Sequence, residues 1–305
     1  MNDILVLLAT YNGRPWLEEQ VNSVLAQQGV TLRLLIGDDC STDGSIIDLK
    51  AMVKDDRVQI KKFDSSSGGA GQNFIRILSY ADLDLFDYVA FSDQDDYWSP
   101  DKLSRAIGRL KSLNGDGYSS AVTAFWPDGK EQLLSQSMSE TDIDFLFEGA
   151  GQGCTFVLRG DFAREIQFFI REHSAGLAGI HYHDWLVYAL SRVMGKKWLF
   201  DPTPTMRYRQ HSGNDTGARA ALVGIRKRMN LIRNGWYADQ VQQVIAVVSV
   251  LKESKKVFPE DFLLVWNLPD GIFRRFHLAM ILLKRGRRRR TDRVVLAISS
   301  ILGWL

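Results

Sequence analysis

Asp93 and Asp95 flank a single residue, Gln94, directly after the apolar run Tyr88–Ser92. Two carboxylates at that spacing can share one hard divalent cation. Mg²⁺ and Mn²⁺ prefer oxygen ligands, retain some waters and accept phosphate oxygens as the rest of their shell. An ion held this way neutralises a diphosphate leaving group. The pattern alone is common in loops, where its aspartates would cap the helix expected near Asp101. Its place after a buried strand, with Asp96, Trp98 and Pro100 following, favours the metal. Two more polar clusters end apolar runs: Thr10-Tyr-Asn12 after Ile4–Ala9, and Asp38-Asp39 after Thr31–Gly37.

These clusters need a scaffold that gathers strand ends. Ile4–Ala9 is continuously apolar, as a strand buried on both faces must be. Pro15 suits a first helical position, with Glu18 and Glu19 in the first turn and Leu17, Val21, Val24 and Leu25 at helical spacing. Ser41-Thr-Asp43 offers caps for a helix over about 44–54, followed by a strand at Val58–Phe63. A Gly- and Ser-rich loop, Ser65–Gly71, leads to a helix starting near Gln72. That loop lacks the G-x-x-x-x-G-K-[ST] phosphate pattern and does not follow the first strand, so it is read as permitting close backbone approach. Strands alternating with helices predict a parallel, doubly wound sheet with right-handed crossovers, whose ligands bind beyond the carboxyl ends of the strands. All three polar clusters fall there.

Beyond Pro100 the pattern is mixed. Ala121–Phe125 and Glu131–Leu134 flank Pro127-Asp-Gly129 as a hairpin. Cys154–Leu158 reads as a buried strand, 161–171 and 184–193 as helices, and Lys197–Phe200 as a last strand. From about Ala218 the chain reads as helical throughout.

Composition sets the outer limits. The chain has 305 residues, 45% of them hydrophobic and 24% charged, which excludes a disordered chain, a collagen-like fibre and a disulfide scaffold. Cys40 and Cys154 are expected as reduced thiols. Residues 1–217 carry 21 basic and 30 acidic side chains, whereas 218–305 carry 17 and 6. An acidic body with a basic tail implies chemistry in the first part and an anionic surface for the second. No charged n-region with an apolar core opens the chain, and no run reaches the roughly 18 apolar residues of a spanning helix. The expectation is a protein that begins and stays in the cytoplasm.

Four motifs occur in order: Ala9-Thr-Tyr-Asn12, Leu17 through Ser23-Val-Leu-Ala-Gln27, Asp38-Asp-Cys-Ser-Thr-Asp-Gly44 and Asp93-Gln-Asp-Asp-Tyr-Trp98. Together they resemble a family-2 nucleotide-sugar glycosyltransferase of the GT-A fold, closely over residues 3–112 and more loosely to about 215. Gly149-Ala-Gly-Gln-Gly-Cys154, His183-Asp-Trp185 and Tyr208-Arg-Gln-His-Ser-Gly-Asn214 look most like the bacterial rhamnosyltransferase-like branch, which mostly builds cell-surface polysaccharide. The resemblance implies an α/β catalytic domain over 1–217, with nucleotide-sugar binding in 1–112 and an acceptor and catalytic part in 113–217. A helical basic appendage follows over 218–305.

Residue roles follow from the same resemblance. Thr10, Tyr11 and Asn12 would line the base pocket, Tyr11 by stacking on a pyrimidine. Asp39, supported by Asp38, would accept from the base N3–H or the ribose. Asp95 would be the principal metal ligand for Mn²⁺ or Mg²⁺. Asp93 would hold ribose or metal-bound water, and Gln94 would also face the donor. His211 would complete the metal shell or meet the diphosphate, and Arg209 would neutralise phosphate charge. Asp184 would be the general base of an inverting transfer, taking the acceptor proton as the diphosphate leaves from the opposite face. Many relatives have an acid before that aspartate, and here it is His183. Gln152 and Trp185 would meet the acceptor, with core packing the alternative for Trp185.

The tail carries its own expectation. Arg226-Lys-Arg228 lies among Leu222, Ile225, Met229 and Ile232, and Lys284–Arg290 precedes an apolar end. Polybasic runs beside amphipathic segments suit an anionic membrane leaflet, with a solvated face or an oligomer contact as the alternative. No nucleic-acid platform accompanies the charge. The reading is a metal-dependent inverting transferase, peripheral on the inner face of the cell membrane. It moves L-rhamnose from dTDP-rhamnose to a lipid-linked glycan. A UDP-hexose donor (galactose, glucose or N-acetylhexosamine) and a catalytically silent binding subunit are the rivals.

Overall fold

The computed structural model describes residues 2–135, 139–211, 229–252 and 257–305. The chain forms two compact units. The first comprises Met1–Ser137, Ala150–Asp184 and Lys196–Asp215, and the second Met138–Gly149, Trp185–Gly195 and Thr216–Leu305. A single cut near 217 therefore differs from the structure, because two earlier segments belong with the C-terminal unit.

The first unit is built on a seven-stranded sheet of order β10-β6-β9-β4-β1-β2-β3. Its strands are β1 (Asp3–Thr10), β2 (Thr31–Asp38), β3 (Val58–Lys62), β4 (Tyr88–Ser92), β6 (Gly117–Ser120), β9 (Val157–Arg159) and β10 (Trp198–Asp201). β1 runs parallel to both β2 and β4, with Thr10 beside Asp38 and Leu8 beside Ser92. That register puts the three polar clusters at one rim. β9 is antiparallel to β4 and β6, and the other neighbouring pairs are parallel, so the doubly wound sheet is mostly parallel, as expected.

The central strands are apolar because helices cover them. Ile4, Val6, Leu7 and Leu8 are completely buried. The first-unit helices are α1 (Leu17–Leu25), α2 (Ser45–Met52), α3 (Ala70–Tyr80), α4 (Lys102–Ser112) and α5 (Gly160–Glu172). Each of α3, α4 and α5 turns one apolar stripe inward, such as Phe74, Ile77 and Leu78 on α3.

A second sheet of order β5-β11-β7-β8 joins β5 (Tyr97–Trp98), β11 (Met206–Arg209), β7 (Val122–Phe125) and β8 (Glu131–Leu134). The expected hairpin is its β7–β8 edge. β11 pairs antiparallel with β5, Met206 opposite Trp98 and Arg207 opposite Tyr97. This pairing carries the segment after β11 to the loop that holds Asp93–Asp96. The expected strand at Cys154–Leu158 begins later, because Gly153–Thr155 is a single 3₁₀ turn.

The second unit is helical among its described residues. It contains most of α6 (His183–Val193), then α7 (Trp236–Val248), α8 (Glu260–Trp266), α9 (Ile272–Arg285) and α10 (Arg290–Ile301). Phe145, Phe147, Phe262, Val244 and Leu278 lie in its interior. Trp185 belongs to this core: it is 5% exposed and its indole N–H donates to the Phe145 carbonyl at 2.9 Å. The acceptor-stacking role expected for it is therefore corrected to packing.

The basic run 284–290 also differs from expectation. Arg288 is buried, ion-paired to Asp144 at 2.8 Å, and donates to the Gly149 carbonyl at 2.6 Å. Arg287 pairs with Glu148 at 3.1 Å, and Arg285 pairs with Asp142 at 2.8 Å and with Asp261. Three of these arginines are thus bound within the unit, and Lys284, Arg289 and Arg290 remain exposed. Leu222, Ile225 and Arg226–Arg228 lie outside the described residues, as do Ser212–Asn214. No helix among the described residues is long and apolar enough to cross a membrane.

Candidate active site

The loop after β1 is fastened on two sides. Gln94 Oε1 accepts from Thr10 Oγ1 and from the Tyr11 N–H, both at 2.8 Å, and its Nε2 donates to the Tyr11 carbonyl at 3.1 Å. Asn12 adopts a left-handed conformation (φ 49°), which asparagine tolerates. Its N–H donates to Ser41 Oγ and its Oδ1 accepts from the Thr42 N–H, each at 2.9 Å. Gln94 and Asn12 thereby fix the loop, while the Tyr11 ring stays 55% exposed and open to a stacking partner. Thr10 is buried, its hydroxyl directed at Gln94.

At the end of β2, both aspartates are buried. Asp38 Oδ1 accepts from the Ser41 N–H at 3.2 Å, while its Oδ2 has no hydrogen-bond partner. Asp39 accepts from the Ser67 N–H at 2.6 Å and its hydroxyl at 2.9 Å, and pairs with Arg76 at 2.6 Å. Arg76 in turn lies over the Phe63 ring at 3.7 Å. Nothing in the sequence singled out Arg76 or Ser67, because the pairing spans the β2–α3 crossover.

The acidic loop after β4 concentrates like charge. Burial, then Asp95, then Asp184 push the Asp93 carboxyl up to about 7. Burial, Asp95 and Asp93 push Asp96 well above the usual carboxylate range, and its Oδ2 is unpartnered. Asp95 meets His211 instead, Oδ2 to Nε2 at 2.7 Å, and the imidazole stacks on Trp16 at 4.1 Å. Carboxylates that repel one another beside an imidazole fit a hard divalent cation, which would relieve the repulsion. Asp93, Asp96 and Cys154 also offer donor atoms within 4.8 Å of one another. Burial and the two aspartates raise the Cys154 thiol far above its ordinary value, so it stays protonated and is no nucleophile.

Arg209 braces this loop. Its N–H donates to Asp96 Oδ1 at 3.0 Å, its Nε to the Asp95 carbonyl at 2.8 Å, and its guanidinium reaches Glu19. Its observed partners are therefore protein groups. Lys102 was not foreseen at all. Fully buried, it sits 3.8 Å from the Trp98 ring, and its ammonium has no hydrogen-bond partner. Burial lowers it to about 8, against the pull of Cys154 and Asp96. A lysine at the start of a helix ordinarily reads as exposed, so sequence offered no signal.

Asp184 opens α6 on the same side, close enough for its charge to act on Asp93. Two glycines make room there. A Cβ on Gly153 would stand 2.4 Å from His183 Nε2 and 3.1 Å from Asp184 Cβ. A Cβ on Gly71 would stand 2.1 Å from the His181 carbonyl oxygen, so the glycine-rich loop serves an approach to the 181–183 segment. Gln72 pins that segment through the carbonyls of Leu177 (2.8 Å) and Ile180 (2.6 Å). His183 packs on Phe74 at 4.0 Å and Phe91 at 5.5 Å, and burial lowers it to about 3. An aromatic wall accounts for a neutral ring where an acid was expected. Gln152 keeps a buried, unpartnered Oε1.

Polar clusters at three strand ends, with Asp184 near Asp93, and a mostly parallel sheet with an antiparallel β9 are the arrangement of a GT-A type glycosyltransferase. The profile of Glycosyl transferase family 2 matches residues 5–172, and the chain belongs to that family. It is an enzyme that transfers a sugar, which sets aside the silent-subunit reading. The chain is 35% identical over 297 residues to the dTDP-rhamnosyl transferase RfbG of Shigella flexneri, covering 97% of this chain and 99% of that protein. It is 37% identical over 106 residues to a putative teichuronic acid biosynthesis glycosyltransferase, TuaG, of Bacillus subtilis, covering 34% and 40%. Among solved structures it resembles S. aureus TarS 1–349 in complex with UDP-GlcNAc (TM-score 0.57, 15% identity, covering 99% and 81%). It also resembles the mannosyltransferase PcManGT of Pyrobaculum calidifontis with GDP-Man and Mn²⁺ (TM-score 0.52, 14% identity, covering 98% and 86%). At those identities the structural likeness concerns the fold.

Proposed function

We propose that this protein transfers L-rhamnose from dTDP-rhamnose to a hydroxyl of a growing, lipid-linked cell-surface polysaccharide, with inversion at the anomeric carbon. The observation that carries the chemistry is the convergence of Asp95 and Asp184 on Asp93 at one rim, close enough for both charges to push the Asp93 carboxyl up. The end-to-end likeness to a dTDP-rhamnosyl transferase supports the donor.

Tyr11 stacks on the base, and Asp39, held by Arg76 and Ser67, accepts from its imide N–H. Asp95 and His211, with Asp93, would hold Mn²⁺ or Mg²⁺, which would supply positive charge to the departing diphosphate. Arg209 keeps the metal loop in place. Asp184 takes the acceptor hydroxyl proton as that oxygen bonds the anomeric carbon, while the bond to dTDP breaks on the opposite face. Gln152 is directed at the acceptor. The enzyme works at the inner face of the cell membrane, where its lipid-linked acceptor resides.

The test is release of nucleoside diphosphate and transfer of label from dTDP-rhamnose, UDP-glucose, UDP-galactose and UDP-N-acetylglucosamine, with membranes as acceptor source and Mn²⁺ present. Turnover confined to dTDP-rhamnose and abolished by chelator is expected. Preferential use of a UDP-hexose would replace the donor, and metal-independent turnover would remove the ion.

A further inference from the structure

A helix on the surface of a water-soluble unit ordinarily turns charge outward and carbon inward. α9 and α10 of the second unit do otherwise. On α9 the inward residues are Leu278, Ala279 and Leu282. Its outward face carries Phe273, Phe276, Met280 and Leu283, with Phe273 at 78% and Met280 at 52% exposure. On α10 the inward residues include Ala297, Ser299 and Ser300, small enough for the two helices to pack closely. Val294, Ile298 and Ile301 face out, Ile298 at 49% exposure. Isolated apolar side chains on a surface are ordinary, but two adjoining helices with apolar outer faces are an interaction surface.

The charge around that face selects its occupant. From Asp270 to Leu305 there are nine basic residues and two acidic ones. Both acids are already engaged, Asp270 by Arg275 at 2.5 Å and Asp292 by Arg287 at 3.6 Å. Exposed Lys284, Arg289 and Arg290 stand where the two helices connect. A second copy would bring like charge against like charge. Helices of 14 and 12 residues are too short to cross a bilayer of about 30 Å, but suit lying in its surface.

We propose that the outward apolar face of the α9–α10 pair inserts into the surface of an anionic lipid bilayer, with Lys284, Arg289 and Arg290 against the headgroups. This deepens the reading of a membrane-surface enzyme and locates the contact on carbon rather than on the arginine run, most of which is used internally.

The experiment is co-sedimentation of the full chain with phosphatidylglycerol-containing vesicles and with neutral phosphatidylcholine vesicles. Binding to the anionic vesicles is expected, weakened but not abolished at about half-molar salt. The triple variant Phe273→Glu, Met280→Glu, Ile298→Glu should lose at least about tenfold in vesicle affinity. These positions are exposed, so its thermal midpoint and its stabilisation by dTDP with Mn²⁺ should match wild type. Arg289→Gln with Arg290→Gln should lose only a few-fold, and only at low salt. Wild-type protein that ignores anionic vesicles, or a triple variant that binds as well as wild type, overturns the proposal. So does a wild-type dimer in lipid-free sedimentation that the triple variant dissociates, which would assign the face to a second copy. The dTDP response reads the donor site separately, so a failure of the sugar-transfer reading is distinguishable from a failure of this one.

Discussion

The two units use the same residue types to opposite ends. In the second, the buried carboxylate of Asp144 receives Arg192 at 2.5 Å, Arg288 at 2.8 Å and the Tyr188 hydroxyl at 2.8 Å. That carboxylate has two guanidinium partners, so the cluster is complete in itself and holds helices together. In the first, Asp93, Asp95 and Asp96 crowd one another, and burial pushes Asp93 and Asp96 up. Arg209 and Lys102 lie close by, yet Asp93 and Asp96 stay raised, and a metal with a diphosphate would add the positive charge and use it. A charge cluster is thus read by whether its partners are already inside the fold.

The comparison breaks first at Asp95. Asp95→Asn should reduce sugar transfer by about 10³-fold or more, the loss expected of a charge-stabilising group, with a thermal midpoint close to wild type. An active variant that still needs metal would reassign the ligand. Asp184→Asn should lower turnover by about 10²–10⁴-fold while dTDP still binds, and unchanged turnover would remove it as base. The structural counterpart is Arg288→Ala, which leaves Asp144 with Arg192 and Tyr188 but removes one buried guanidinium and its bond to the Gly149 carbonyl, and should cost about 1–3 kcal/mol of stability, seen in denaturant melts. A melt shifted by under about 1 kcal/mol would show that the cluster is not buried as described.

Smaller effects sharpen the contrast. His183 is neutral in the fold, with its value lowered to about 3 from 6.5. The unfolded chain takes up that proton first, so the stabilisation is complete above about pH 6.5 and is lost as pH falls toward 3. Between pH 6.5 and 5 the melt should lose up to about 1.4 kcal/mol per pH unit from this group, and His183→Gln should flatten that slope. An unchanged slope would place the sensitivity elsewhere. Tyr11→Ala should weaken donor binding by about tenfold, in line with the loss of one base–aromatic stack. An unaltered donor KM would mean that the ring does not meet the base.

Much of this rim was legible. β1, β2 and β4 announce themselves as apolar runs, and their ends carry the polar clusters, so periodicity gathers the clusters on one rim and the family resemblance implies that this rim takes the donor. What the sequence hides is nonlocal. β11 reads as Met-Arg-Tyr-Arg, too polar for a strand signal, yet its pairing with β5 is what sets His211 against Asp95. Cys154 belongs to an apolar stretch whose first turn is 3₁₀, which leaves no period to see. The run 284–290 looks like a free polybasic patch because its acids, Asp142, Asp144 and Glu148, lie far upstream in the chain. Trp185 has a side chain suited to stacking on a sugar, and only burial shows that it packs instead.

The first unit is proposed to hold a pyrimidine diphosphate through a metal on Asp95. A thermal shift with dTDP, UDP and GDP, each with and without Mn²⁺, tests it most directly. A ligand confined to the folded state adds about 2.7 kcal/mol at a hundredfold excess over its Kd. The expected result is a rise that requires both dTDP and Mn²⁺, is smaller with UDP and GDP, and vanishes in Asp95→Asn. A rise with dTDP that is indifferent to Mn²⁺ and persists in that variant, or no rise with any nucleotide, would contradict it.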